Sequence, residues 1–228
     1  MSMAFSLRAL AHLLGYPDAA LRADLPALAE LLAGERTLSA GTRAALASLI
    51  DGLQRADGLA AEARYVETFD HGRRTALHLF EHVHGDSRDR GPAMIDLRNT
   101  YASAGLYLDE GQFPDYLPVV LEFASTQDAR TAREFLGEMA HILSALHGAL
   151  AEKRSPYAAV MAAVLELAGE KVQAVSLPPE EALDASWAEP EAFGGCSSAG
   201  QQAPNTPQPV RIVPSVRGKS YQNPGAAT

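Results

Sequence analysis

The chain has 228 residues, 47% of them apolar, and a formal net charge of −9. That length is enough for a sizeable buried core, while the acidic balance excludes a non-specific nucleic-acid binder, which needs a basic footprint to displace counterions. A single cysteine, Cys196, rules out an intrachain disulfide and any zinc or iron–sulfur site built from cysteines.

From the N-terminus the pattern predicts helix after helix. Phe5 to Leu14 is short and apolar, and Gly15 with Pro17 stops it. Asp18 is placed to cap a second segment that runs to Gly34, with Pro26 expected to kink or restart it. Leu46, Leu49, Ile50 and Leu53 recur at helical spacing, and Leu59, Ala63, Val66 and Phe69 continue the pattern. Gly91-Pro92 opens a helix whose inner face is Met94, Leu97 and Tyr101 and whose stop is Gly105. Pro114-Asp115 opens a short helix with Leu117, Val120, Leu121 and Ala124 inward. Thr126 is expected to cap one long helix carrying Phe135, Leu136, Met139, Ile142, Leu143, Leu146 and Leu150. Ser155-Pro156 starts the last helix, with Val160, Met161, Val164 and Leu165 inside and Gly169 at its end.

Alternating strand patterns do not occur. The expected fold class is all-α: a single helical domain of about eight or nine helices over residues 1–177. Residues 178–195 read as an acidic, extended edge segment. Residues 196–228 hold three basic residues and no acidic one, and read as a disordered tail. Residues 1–195 therefore carry −12 of the charge. No apolar run reaches the roughly 18 residues of a spanning helix, so no membrane insertion is expected. The N-terminus lacks a secretory pattern, which makes the cytoplasm the expected location.

The segment from Tyr65 to Gly91 is chemically dense, with four of the seven histidines among charges of both signs. Three chemistries fit it. His78, Glu81 and His82 match H-x-x-E-H, in which two histidines share a metal and the glutamate activates water. That pattern admits a small zinc-dependent hydrolase. Alternatively, Arg73, Arg74, Glu81, Asp86, Arg88, Asp89 and Arg90 form an ion-pair and capping network across a turn at Gly85. The third is a recognition surface.

The run Tyr65-Val-Glu67-Thr-Phe69-Asp70-His71-Gly72-Arg73-Arg74, continued through Leu77-His78-Leu-Phe80-Glu81-His82-Val-His84 to Arg88-Asp89-Arg90-Gly91, resembles the signature of the nitrate reductase molybdenum cofactor assembly chaperones. Leu13-Leu14-Gly15-Tyr16-Pro17, Pro114-Asp115-Tyr116-Leu117-Pro118, Leu121-Glu122-Phe123, Trp187-Ala188-Glu189-Pro190 and Phe193-Gly194 follow in the order that family shows. The resemblance spans roughly residues 5–195. It implies an all-α cytoplasmic chaperone of the wider TorD and DmsD group, without enzymatic activity or a cofactor of its own. The implied client is the catalytic alpha subunit of respiratory nitrate reductase, bound by its N-terminal segment. The implied task is to support molybdenum cofactor insertion and to prevent premature membrane docking. A transient contact with the molybdopterin-guanine-dinucleotide cofactor stays open, with the arginine pairs Arg73–Arg74 and Arg88–Arg90 as its candidates.

The same resemblance points to residues that bind the peptide or support its groove: Tyr65, Glu67, Asp70, Arg73, His78, Glu81, His82, Arg88 and Asp115. In the wider group an acidic–proline–aspartate motif precedes a helix at the peptide site. Here it reads Gln112-Phe113-Pro114-Asp115, with glutamine where glutamate is expected. No phosphate-binding loop is present, so no nucleotide-driven step is evident.

Overall fold

Side-chain carboxylates and hydroxyls set where these helices begin. In the computed structural model, which describes residues 2–85 and 87–173, the Asp18 carboxylate accepts the Leu21 amide at 2.9 Å and starts α2 (Ala19–Ala33) behind α1 (Met3–Leu13). Ser39 does the same for α3 (Ala40–Arg55) and Asp57 for α4 (Gly58–Phe69). A 3₁₀ turn (Arg73–Thr75) and the short α5 (Leu79–Val83) follow, then α6 (Arg90–Ser103) and α7 (Leu117–Thr126). Asp128 caps α8 (Ala129–Glu138) through the Arg130 and Thr131 amides, and α9 (Ala140–Glu152) and α10 (Ala158–Ala168) complete the order. The described residues hold ten α-helices and no named strand, only an isolated antiparallel bridge between His78 and Tyr116. The fold is all-α.

The centre is α10, where Val160, Met161, Ala163, Val164, Leu165 and Leu167 are fully buried. Apolar residues on nearly every side mark a helix enclosed by others. It packs against α9, α8, α3 and α1, while α1 lies on α7 and α2. A small satellite core of Leu97, Tyr101 and Phe123, backed by Phe80, Leu106 and Val119, joins α6 to α7.

Two carboxylates, the buried Glu35 and the half-buried Glu166, tie elements together. Glu35 accepts Ser6 Oγ at 2.6 Å and the Thr37 amide at 2.9 Å. Burial pushes its carboxyl up, but those donors outweigh it and hold the group below its usual range. Glu166 on α10 accepts Thr42 Oγ1 at 2.6 Å and Ser39 Oγ at 2.9 Å, so it clamps the start of α3.

Several expectations need correction. Helix α2 runs through Pro26 without restarting, with the proline on an exposed position. The inner face of α4 is Ala61, Tyr65 and Phe69, whereas Leu59 is 76% exposed. The long helix expected after Thr126 is two helices that meet at Met139, and Asp128 rather than Thr126 caps the first. That break and the short α5 bring the helix number above eight or nine. Asp115 does not cap the helix beside it, since Tyr116 holds the N-cap position of α7. Asp86, the Trp187 to Gly194 matches, the 178–195 segment and the 196–228 tail lie outside the described residues.

Candidate functional site

The dense segment and the Pro114-Asp115 motif meet in space. Leu79 donates its amide to the Asp115 carbonyl at 3.0 Å, and Leu117 donates to the Leu77 carbonyl at 2.9 Å. These two bonds make the His78–Tyr116 bridge. Asp115 is fully buried, which a carboxylate tolerates only with partners. Its Oδ2 accepts the Phe80 amide at 3.2 Å, near the start of α5. Its Oδ1 lies 3.4 Å from His78 Nδ1, and Arg90 Nη2 stands 3.8 Å from Oδ2. The same guanidinium reaches Glu81 Oε1 at 3.3 Å. Asp115 thus caps a helix 35 residues before it in sequence, rather than the one beside it.

His78 sits at the rim of this knot. Its ring packs edge-on to Phe113 with centroids 5.4 Å apart and lies 5.3 Å from the Tyr116 ring. The Asp115 hydrogen bond raises the His78 pKa above its ordinary value and outweighs burial, which acts the other way.

Beside the bridge runs a groove of two adjoining hollows. One, of about 390 Å³, is lined by His78, Phe113, Tyr116 and Pro118. The other, of about 490 Å³, is lined by Tyr101, Tyr107, Leu108, Phe123 and Arg8. Gln112, Val119 and Glu122 belong to both. Phe113 is 55% exposed and Tyr107 is 82% exposed, so aromatic surface is open to a partner. Glu122 is exposed, and Asp109 adds a second carboxylate to the lining.

The nine sequence candidates do not form one cluster. His78, Glu81 and Asp115 come together, with Arg90 as the shared cation. Tyr65 is buried and donates its hydroxyl to the Leu14 carbonyl at 2.7 Å. Burial first, and then the neighbouring Tyr116, holds that phenol well above its usual range. Glu67 lines a different hollow, described below. His82 Nε2 lies 2.8 Å from the carbonyl of Ala76, which ends the preceding 3₁₀ turn. Asp70, Arg73 and Arg88 are exposed, and Asp70 ends α4. Leu77 and Phe69 are in the core.

The H-x-x-E-H pattern does not assemble as a metal pair. His78 is the N-cap of α5, one residue outside the helix, and its Nδ1 is turned to Asp115 while His82 is turned to a carbonyl. Among the described residues no group of three His, Cys, Asp or Glu side chains is placed to hold a metal ion. No helix among them is long and apolar enough to cross a membrane.

Sequence reasoning missed the groove itself. Tyr107 and Val119 carried no motif and Phe113 stood only as a filler inside the Pro114-Asp115 motif, because a wall made from a loop and a helix has no periodicity of its own. Arg90 was placed in a turn network, and its second partner, Asp115, lies too far along the chain to be read from spacing.

The nitrate reductase delta subunit family model matches residues 35–163. Over 188 residues, 78% of this chain and 80% of the relative, the chain is 38% identical to the nitrate reductase molybdenum cofactor assembly chaperone NarJ of Escherichia coli K12. A Bacillus subtilis chain assigned to the same role is 32% identical over 69% of this chain and 84% of its own. A solved structure from Archaeoglobus fulgidus, assigned to redox enzyme maturation, matches with a TM-score of 0.51 at 23% identity, over 72% of this chain and 92% of that one. That likeness speaks for the fold.

Proposed function

Because the chain belongs to the nitrate reductase delta subunit family, whose members are assembly chaperones and not enzymes, we propose that it binds the N-terminal segment of the respiratory nitrate reductase alpha subunit. The groove between α7 and residues 104–116 is the binding place. An amphipathic segment lays its apolar face on Phe113, Tyr116, Val119 and Tyr107, and its cations meet Glu122 and Asp109. The Asp115 knot supports this groove from behind, since it fixes His78 and the Phe113–Tyr116 stretch. Tyr65, Glu81 and His82 act as supports on the same reasoning, while Glu67, Asp70, Arg73 and Arg88 are contacts only for parts of the client beyond the groove.

Holding that segment keeps it from docking on the membrane before the alpha subunit is complete, and leaves the subunit open for molybdenum cofactor insertion. The work is done in the cytoplasm and needs no bound nucleotide. The observation that carries this reading is the exposed aromatic groove with carboxylates at its edge, attached to the family motif through Asp115.

Titration calorimetry with a synthetic peptide of the alpha subunit's N-terminus is the test. One-to-one saturation is expected, weaker at high salt, and Phe113→Ala should weaken it about tenfold, the loss of one buried aromatic anchor. No binding from pH 6 to 8 by a folded protein overturns the proposal.

A further inference from the structure

A separate hollow shares no lining residue with the groove. It encloses about 530 Å³ between α3, α4 and the turn from α9 to α10, the size of a small-molecule site. Its walls are largely apolar, with Leu49 and Leu53 from α3, Ala61 from α4 and Pro156 from the turn. Gly52 keeps it open, since a Cβ placed there meets nothing within 4 Å.

Two residues of the lining, Tyr157 and Ser155, carry hydroxyls just beneath its surface. Tyr157 is 5% exposed, and among the described residues its Oη is buried without a hydrogen-bond partner, as is Ser155 Oγ. Buried donors left unpaired are rare, because each forfeits its bond with water. Burial also holds the Tyr157 phenol well above its usual range, so it remains a donor at physiological pH. Arg64 and Lys153 are the cations of the lining and Glu67 is its carboxylate. Arg64 lies close enough to Tyr157 to act on its phenol, which puts a cation beside the unpaired hydroxyl.

We propose that this cleft binds a small amphiphilic organic anion, with its apolar body against Leu49, Leu53 and Pro156 and its acidic head on the Tyr157 and Ser155 hydroxyls and the Arg64 guanidinium. Glu67 selects against a second negative charge on the ligand.

Titration calorimetry of the full-length protein with decanoate tests the site, with decyltrimethylammonium as the charge-reversed control. Saturation at one per chain is expected, at least tenfold tighter for the anion. Gly52→Leu fills the hollow and favours the helix it stands in, and it should weaken decanoate at least tenfold. Arg64→Gln should weaken it at least threefold. Phosphatidylglycerol vesicles separate two sources of the same chemistry. Sedimentation with vesicles that Gly52→Leu abolishes marks a lipid chain as the ligand, decanoate binding without sedimentation marks a free anion, and both uphold the site. Absence of saturation, or decanoate binding that Gly52→Leu leaves unchanged in a variant of native circular dichroism, overturns it.

Discussion

Asp115 serves as an amide acceptor and as the negative charge between His78 and Arg90. Its removal leaves the Phe80 amide without this acceptor and takes a counter-charge from protonated His78 and from Arg90, which keeps Glu81. Asp115→Ala should therefore cost about 3 kcal/mol, seen as a lower urea midpoint with the m-value unchanged. His78 gives the knot a pH dependence. Its folded pKa is raised by the Asp115 hydrogen bond and charge and by Glu81, against burial and Arg90. A raised histidine contributes its stability in full below about pH 6.5 and loses it as pH rises through the shifted value. The His78 ring signals in NMR should titrate above 6.5 and move down in Asp115→Asn. The stability lost from pH 6 to 8 should shrink in His78→Gln. His78, Glu81 and Asp115 each stood out in the sequence by type and motif. Their union did not, because a helix capped from 35 residues away has no local signature.

Among the elements, α6 is the least secured. Leu97 and Tyr101 are its buried residues, and Tyr101 Oη donates to the Pro114 carbonyl at 2.8 Å. By hydrogen exchange the α6 amides should open well before those of α1, α7 and α10, which sit in the main core. Tyr101→Phe leaves a buried carbonyl unpaired and should cost about 1–2 kcal/mol, checked by thermal unfolding. The inner faces of α3, α7 and α10 were legible because Leu, Val and Ile repeat there at helical spacing. The α4 face was not, because Ala61 and the hydroxyl-bearing Tyr65 look less apolar than the exposed Leu59. The break at Met139 had a signal in Gly137, a poor helix former two residues earlier, and in Asp128, a better cap than Thr126.

Over the whole molecule, net charge bears on the rate of the proposed peptide binding. Residues 1–195 carry −12, and a basic peptide approaching that field is steered until salt screens it. The association rate of the client peptide, read by stopped-flow fluorescence, should fall about tenfold from 20 mM to 500 mM salt while the dissociation rate changes little. A rate indifferent to salt would remove electrostatic steering from the account. The family was legible at this scale because its motif is long and dense in uncommon residue pairs. The groove was not, because residues 104–116 and α7 form it only after the chain has folded back on itself.

The bond from Asp115 to Phe80 also sets an order of events during synthesis. Helix α5 has five residues, too few to persist alone, and its cap is made 35 residues later. At about 5–20 residues per second, a ribosome needs roughly two to seven seconds to cover that interval. During it the histidine-rich segment has emerged first and has nothing to close on. A nascent chain halted before residue 115 should therefore lack both the knot and the groove, and would fail to take up the peptide that the proposed function assigns to it.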